Sequence, residues 1–353
     1  MRALGRRDRA ICALALVASV LSGVLTAAHA GAIATFVVSA AALAALAALV
    51  GSATEALGAR FGPGATGVLQ SGLGNLPELF FGIFALRAGL VSVVQAALVG
   101  SILGNSLLVL GLAFIVGGLR HGTQRFAADA PRNIATLTVL AVAALAIPTL
   151  ARELHEPAGA HLDQLSVACA AIVLAVFALS VPASLRDAAV VPPREASREE
   201  GWPLWLALVL LIAAGAGSAF VSDWFVGALR PAIDALGISD AFAGLVIVAL
   251  AGNAVENVVG IQLAARNKPD YALSVLLNSS LQVAIGLIPV QVLLSFVVGG
   301  THLTLVLPPL LLAALALAAG LGGIITYDGE STWLEGAALV GLYAIIAAAF
   351  WWG

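Results

Sequence analysis

The sequence predicts an all-α integral membrane protein with eleven transmembrane helices, one N-terminal helix followed by two inverted five-helix repeats. Only 10% of the 353 residues are charged, whereas a soluble protein carries about a quarter. Hydrophobic residues make up 61% and the mean hydropathy is +1.06, so much of the surface must face lipid. The apolar residues form runs of about the 20 residues that a helix needs to cross a bilayer, without the alternation of barrel strands.

The apolar runs, taken in chain order, give eleven helices separated by short polar segments. The first, Ala10–Ala28, follows three arginines and ends before Ala30, so a cleaved signal peptide is an alternative interpretation. Five helices follow it, and five more follow the polar segment Pro182–Trp202. The predicted bounds of these ten helices are Thr35–Gly58, Ala65–Leu86, Val91–Leu119, Ile134–Leu150, Leu162–Val181, Pro203–Val226, Ala241–Ala265, Tyr271–Val297, Leu303–Ile325 and Thr332–Trp352.

This organisation divides the chain into four parts. Residues 1–30 form the N-terminal transmembrane helix, 31–182 the first repeat, 183–202 a cytoplasmic linker and 203–353 the second repeat. The linker contains Pro192-Pro193 and a cluster of charged residues, which is typical of a solvated connection. A regulatory role for its acidic end is the alternative.

The distribution of basic residues predicts the orientation of the helices. With the N-terminus in the cytoplasm, all but three of the 16 Lys and Arg residues fall on the cytoplasmic side, and the exceptions are Arg87, Arg152 and Arg230. The cytoplasmic loops of membrane proteins carry an excess of Lys and Arg. We therefore expect a protein of a bacterial-type plasma membrane, with the N-terminus in the cytoplasm and the C-terminus outside.

Several classes of function are disfavoured by the composition. The net charge of −3 comes without a basic run, so nucleic acid is not an expected partner. The sequence has no nucleotide-binding motif and no zinc-like pair among its five His, so we expect neither ATP, nor a cofactor, nor an enzyme. Cys12 and Cys169 lie in apolar runs, where small buried thiols are the simplest interpretation.

The sequence contains an internal repeat. The segment Gly74-Asn75-Leu76-Pro77-Glu78 is matched 178 residues later by Gly252-Asn253-Ala254-Val255-Glu256, and the same offset relates Ser101 to Ser279. A shorter match relates Thr54-Glu55 to Ser222-Asp223, each on the helix that precedes a GNxxE segment. Each half has five helices, an odd number, so the second half is inverted relative to the first. Inverted repeats place equivalent residues around a shared midplane site, with broken helices facing an ion.

The repeated residues predict a site for a hard cation. Glu78 and Glu256 are acidic residues inside apolar helices. A charged side chain within a membrane-spanning helix costs at least about 2.5–3.5 kcal/mol, so such residues usually belong to a transport pathway. A protonated Glu bonded to a neighbouring helix is the structural alternative. Two carboxylates drawn together share protons or bind a cation, and oxygen ligands suit Ca²⁺ better than Cu or Zn. The further oxygen donors are Asn75, Asn253, Ser101 and Ser279.

These segments, with Val94–Asn105, Asn278–Gln282 and Asp328–Gly336, resemble the cation/Ca²⁺ exchanger superfamily, and within it the H⁺/Ca²⁺ antiporter branch. The resemblance implies an antiporter that exchanges Ca²⁺ for H⁺ by alternating access, with Ca²⁺ held between Glu78 and Glu256. It also implies supporting roles for the four further oxygen donors and for Gln282.

The sequence departs from the antiporter pattern at three positions. Asn257 stands where this branch commonly has His, Asn278 where it has Gly, and Gly104 where it has Ser. Without that His, proton coupling rests on carboxylates, and Glu55 and Asp223 are candidates for the proton pathway. Carboxylates that cap helix ends are the alternative for these two residues.

Three other functions are alternatives on sequence grounds, and the enzyme is disfavoured because no nucleophile–base set is found in the sequence. A Na⁺-coupled Ca²⁺ exchanger or another cation/H⁺ exchanger would share the layout, a passive channel would conduct without a proton gradient, and a membrane-embedded enzyme would need a nucleophile–base pair.

Overall fold

The apolar runs form helices, because backbone groups in lipid must find their hydrogen-bond partners within the chain. The computed structural model describes residues 4–61, 72–127, 129–190 and 202–352, and nearly all of them are helical. Two 2-residue strands, β1 (Gln124–Arg125) and β2 (Glu330–Ser331), pair in an antiparallel ladder. The helices are α1 (Arg6–Ala27), α2 (Ala32–Phe61), α3 (Leu76–Arg87), α4 (Val91–His121), α5 (Asp129–Glu153), α6 (Leu162–Val190), α7 (Leu204–Leu236), α8 (Asp240–Gly252), α9 (Ala254–Ala265), α10 (Pro269–Val298), α11 (Pro309–Ile325) and α12 (Trp333–Trp351).

The prediction of a helical membrane protein is confirmed. Within the described residues, eight helices are long and apolar enough to cross a membrane, and α8 with α9 makes a ninth span if that pair, bent by 66°, is taken as one. The predicted helix Ala65–Leu86 falls partly outside the described residues, and its second half is α3. The total of eleven spans therefore stays a prediction.

The prediction that a helix begins at Leu303 is wrong, because α11 begins at Pro309. Gly299 and Gly300, with φ of 80° and 102°, end α10, and the residues up to Pro308 form no helix, although Leu303, Leu305, Val306 and Leu307 are buried. We call residues 301–308 the extended segment. Its backbone N–H groups donate to side-chain hydroxyls, from Leu303 to Ser295 (2.9 Å), from Leu305 to Ser166 (3.0 Å) and from Leu307 to Thr149 (3.0 Å).

Two helices extend further than the sequence predicts. Helix α6 continues past Val181 to Val190, since Ala, Leu and Arg after Pro182 favour helix. Helix α7 continues past Val226 to Leu236 and ends at Gly237, whose φ of 64° suits glycine. The first part of the predicted linker is thus helical, and residues 191–201 lie outside the described residues.

The two cysteines, interpreted from the sequence as buried thiols, are both free. The thiols are half-buried rather than buried, because neither helix turns that face fully towards its neighbours.

The chain divides into two units, and the smaller comprises Met1–Phe84 with Ala175–Gly237. In it the Phe36 and Phe225 rings stack with centroids 5.0 Å apart, and Phe81 meets Phe225 edge-on at 5.8 Å. Helix α1 packs on this core through a buried hydrogen bond of 2.6 Å between the hydroxyls of Ser22 and Ser39. The N-terminal helix therefore makes specific contacts with the first repeat.

The larger unit comprises Ala85–Leu174 with Ile238–Gly353, and glycines set its helix spacing. A Cβ on Gly100 of α4 would collide with the backbone of Leu245 in α8, and one on Gly244 with the backbone of Val93. Small residues let membrane helices approach closely in this way. The two backbones thus lie in direct contact, which fixes the neighbouring side chains.

Helices α4 and α10 each contain a π-helical turn at an equivalent point. These turns are Gly104–Val109 and Val283–Leu287, and their last residues are 178 apart, the offset of the sequence repeat. π-helical turns are rare and frequent at functional sites. Each follows directly after the segment that carries Ser101 or Ser279.

We predict that Gly100→Ala destabilises the fold whereas Gly104→Ala does not. The Gly100 methyl group would overlap backbone that cannot move aside, and such overpacking costs about 1–3 kcal/mol or more. At Gly104 the nearest atom to an added Cβ is 3.9 Å away, and its φ of −57° suits alanine. Thermal unfolding of the purified variants in detergent measures the difference. Equal midpoints for the two variants would contradict the close approach of α4 and α8.

Candidate cation-binding site

A buried polar cluster lies where α4, α8, α9 and α10 meet in the larger unit. The contact at Gly100 brings its neighbour Ser101 next to Asn253, which occupies the turn between α8 and α9. Helix α10 supplies Ser279. The structure therefore brings three of the predicted ligands together from distant parts of the sequence.

Hydrogen bonds join these three residues through a fourth, Asn105. The Asn253 amide nitrogen donates to the Ser101 hydroxyl (2.6 Å) and to the Ala249 carbonyl (2.9 Å). The Asn105 amide nitrogen donates to the Asn253 amide oxygen (3.1 Å) and to the Ser279 hydroxyl (3.0 Å). We call Ser101, Asn105, Asn253 and Ser279 the amide–hydroxyl cluster, and none of them is more than 9% exposed.

Hydrogen bonds use all of the amide N–H donors of the cluster, whereas some of its oxygen atoms keep free lone pairs. Both amide nitrogens make two hydrogen bonds each, which is their full capacity. The Asn105 amide oxygen is buried and has no hydrogen-bond partner among the described residues. An unsatisfied buried acceptor costs about 1–3 kcal/mol, and a cation would use the lone pairs that the protein leaves free. The arrangement suits a hard metal ion with oxygen ligands.

Asn105 is a candidate functional residue that the sequence analysis did not select. The repeat offset pairs it with Val283, which has no polar atom, so comparison of the two halves did not mark it. Its spacing of four residues from Ser101 does place both on one face of α4, and this was the signal available in the sequence.

The two predicted glutamates occupy equivalent places in their helices. Glu78 and Glu256 are each the third residue of a 12-residue helix, α3 and α9. In each case the preceding Asn carbonyl accepts the N–H four residues on, from Leu79 (2.9 Å) and from Asn257 (3.0 Å). A carboxylate in a first helical turn is stabilised by the helix dipole. Glu78 and Asn75 belong to the smaller unit and Glu256 to the larger, so a shared site stays a prediction.

The remaining predicted residues lie on several helices. Asn257 follows Glu256 on α9, and its amide oxygen is buried without a hydrogen-bond partner in the described part of the chain. Gln282 is half-buried at the start of the π-helical turn of α10. Glu55 and Asp223 are exposed inside α2 and α7. Neither is at a helix end, so capping does not account for them, and their role in a proton pathway stays a prediction.

Comparison with known proteins identifies the family. The model of the family described as "Sodium/calcium exchanger protein" matches residues 31–186 and 206–352, which together cover most of the chain. This chain belongs to the sodium/calcium exchanger family. The resemblance noted from its motifs is thereby confirmed.

Relatives of this exchanger-family chain extend over nearly its whole length. A protein of Synechocystis sp. named Ca(2+)/H(+) antiporter is 35% identical over 337 residues, covering 89% of this chain and 90% of the relative. The Ca(2+)/H(+) antiporter ChaA of Bacillus subtilis is 36% identical, covering 87% and 88%. The crystal structure of the Ca²⁺/H⁺ antiporter YfkE superposes with a TM-score of 0.82 at 32% identity, covering 97% of this chain and 99% of YfkE.

We predict that Asn105→Leu lowers Ca²⁺ transport by this exchanger-family protein more than tenfold. The substitution removes the hydrogen bonds that Asn105 donates to the Asn253 amide oxygen and to the Ser279 hydroxyl, and it also removes the free Asn105 oxygen. A loss of about 1.4 kcal/mol in Ca²⁺ binding, from one missing oxygen ligand and two displaced ones, is enough for a tenfold effect. The matched control is Asn133→Leu, at an exposed position of α5. Radiolabelled Ca²⁺ flux into proteoliposomes, normalised to folded protein, measures both. Normal flux in Asn105→Leu would remove the cluster from the ion site.

Proposed function

We propose that this chain is a secondary active antiporter that exchanges Ca²⁺ for H⁺ across a membrane. One observation carries the proposal: relatives named Ca(2+)/H(+) antiporter are about a third identical to this chain over nearly their full lengths and its own. The chain is an integral membrane protein with several apolar spans. Ca²⁺ and H⁺ are its substrates, and the ion gradients are its energy source.

We further propose that Glu78 and Glu256 bind the transported ion, together with the amide–hydroxyl cluster and Asn75. The two carboxylates would match the charge of one Ca²⁺, and two protons on the same carboxylates would also neutralise the site. Because an empty, doubly charged site is costly in the membrane, the protein crosses between its two states loaded with either. Competition for one pair of carboxylates thereby couples the two fluxes. Gln282 and Asn257 would support the site, and Glu55 and Asp223 would lead protons towards it.

The proposed architecture is eleven spans, with two inverted five-helix repeats after α1. Three observations support it: the family model matches in two blocks, 31–186 and 206–352, each GNxxE segment begins a 12-residue helix at the same place, and the π-helical turns of α4 and α10 keep the repeat offset. The repeats correspond to residues 31–182 and 203–353, joined by 183–202. An N-terminus in the cytoplasm and a C-terminus outside complete this proposal.

The decisive experiment measures radiolabelled Ca²⁺ uptake into proteoliposomes under an imposed pH gradient. Uptake that requires the gradient, and that makes the lumen more alkaline in proportion to the Ca²⁺ taken up, is the expected result in Na⁺-free medium. Uptake that requires a Na⁺ gradient instead would identify a Na⁺-coupled exchanger. Uptake without any gradient of H⁺ or Na⁺ would identify a channel.

We predict that Glu78→Gln and Glu256→Gln each abolish exchange while the protein stays folded. Gln keeps the shape of the side chain and removes its charge, which leaves a divalent ion half compensated. At about 2.5–3.5 kcal/mol for an uncompensated charge, Ca²⁺ affinity should fall about a hundredfold. The control is Glu153→Gln, since Glu153 pairs with Arg152 on the exposed surface (2.6 Å). Near-normal transport by either single variant would exclude a shared two-carboxylate site.

We predict the orientation from single cysteines introduced into a variant that lacks Cys12 and Cys169. A cysteine at Ser197, or near Glu330, should react with a membrane-impermeant maleimide only from the cytoplasmic face. A cysteine at Gly159 should react only from outside. Permeabilised cells provide the control for reactivity at each position. Reaction of Ser197 and Gly159 positions from the same side would overturn the five-helix inverted repeat.

A further inference from the structure

Helix α9 is held at its C-terminal end by the last residue of α4 and by the loop that follows it. The Gln124 amide nitrogen of this loop donates to the Ala264 carbonyl (3.1 Å) and to the Asn267 side-chain oxygen (2.9 Å). The His121 ring nitrogen Nε2 donates to the neighbouring Ala265 carbonyl (3.0 Å). The last carbonyls of a helix have no partner within the helix, so side chains from α4 and its loop determine where this end of α9 lies.

Gln124 is itself held firmly, because its backbone and its side chain are both confined. Its backbone belongs to strand β1, where it pairs with Ser331 of β2. Its side chain is 2% exposed and lies against Gly117 of α4, where an added Cβ would overlap the Gln124 amide oxygen. The two bonds to the end of α9 use both amide hydrogens. Gln124 therefore ties α9 to α4 and to the β1–β2 ladder.

Helix α9 rests on α10 near its midpoint. A Cβ on Gly260 would come within 2.7 Å of the Leu276 side chain, which is fully buried. Glu256 lies four positions before Gly260 and Ala264 lies four positions after it, so the three follow one face of the helix. A helix supported at its middle transmits a displacement of one end to the other, here over arms of about 6 Å each.

The end of α9 opposite to Gln124 carries proposed ion ligands. Asn253 immediately precedes α9, and Glu256 is its third residue. The chain bends by 66° between α8 and α9, so the direction of α9 depends on the contacts of α9 itself. Ca²⁺ accepts ligand oxygens within a narrow range of about 2.3–2.6 Å. A displacement of Glu256 by a few tenths of an ångström would therefore weaken ion binding.

We propose that Gln124 is a positioning residue for the ion site and acts through α9. Its amide holds the Ala264 end of the helix, the contact at Gly260 serves as the pivot, and Glu256 takes its position from both. This role of Gln124 rests on the proposed binding of Ca²⁺ by Glu256. Gln124 makes no hydrogen bond to a proposed ion ligand within the described part of the chain, so its effect on the ion passes through the helix.

The test measures proton-coupled Ca²⁺ uptake into proteoliposomes over a range of Ca²⁺ concentrations, which gives KM and the maximal rate. Gln124→Leu keeps the approximate size of the side chain and removes both hydrogen bonds to α9. Gly117→Ala suits a helix, and its methyl group displaces the Gln124 amide. The matched control is Gln95→Leu, since the buried Gln95 amide also donates two hydrogen bonds, to the Thr304 and Val306 carbonyls of the extended segment.

We expect Gln124→Leu to raise the KM for Ca²⁺ about tenfold, as loss of a residue that orients a metal ligand does. The maximal rate should stay nearly unchanged, because weaker binding is overcome at saturating Ca²⁺. Gly117→Ala should also raise KM. Gln95→Leu should lower the midpoint of thermal unfolding, as Gln124→Leu does, and keep the KM of the wild type.

Two results would overturn this role of Gln124 in a preparation whose wild type exchanges Ca²⁺ for H⁺. The first is a wild-type KM in Gly117→Ala or in folded Gln124→Leu. The second is an equal rise of KM in Gln95→Leu, which would mean that KM follows the stability of the larger unit in general. If Gln124→Leu does not fold, Gly117→Ala decides between these outcomes. A wild type without proton-dependent Ca²⁺ uptake would contradict the proposed function itself.

Discussion

The carboxamide of Asn253 is the contact on which the rest of the larger unit depends. It occupies a break between α8 and α9, where a polar side chain inside an apolar bundle must satisfy every donor and acceptor it carries. Its nitrogen reaches α4 at Ser101 and its oxygen receives Asn105. Glycine at position 100 brings the backbones of α4 and α8 close enough for this to happen. A change in the tilt of any of these helices would therefore leave an amide group without its hydrogen-bond partner.

That dependence would let the same residues serve both the stability of the fold and the proposed binding of the transported ion. The hydrogen bonds consume the N–H groups of the two amides and leave oxygen lone pairs, so the cluster is fixed in shape and still able to bind a cation. For the proposed ion, a site built this way would need little rearrangement on binding. The π-helical turn of α4 contains Asn105 itself, and that of α10 begins four residues after Ser279, so the helix geometry at the cluster is irregular.

The sequence predicted the helical membrane fold well, because long apolar runs leave few other structures possible in lipid. It failed where an apolar run is not helical: residues 303–308 are as hydrophobic as a helix, and periodicity alone does not separate the two. Helix ends at Val190 and Leu236 were also placed too early, since charged residues such as Arg186 and Arg230 continue a helix as well as aliphatic ones do. The repeat offset selected Ser101, Asn253 and Ser279, which the structure brings together. It passed over Asn105, whose counterpart in the second half is Val283 and carries no polar group.

The extended segment between α10 and α11 has a consequence for how this protein can change during evolution. Ser295, Ser166 and Thr149 bind main-chain N–H groups, and the Gln95 amide donates to the carbonyls of Thr304 (3.2 Å) and Val306 (2.9 Å). Main-chain atoms are the same whatever side chains the segment carries. Its apolar residues can therefore change among similar sizes, while selection acts on the four polar residues, of which Gln95, Thr149 and Ser166 lie far away in the sequence. In alignments of relatives, the segment itself would look variable and its anchors would look invariant without any visible partner.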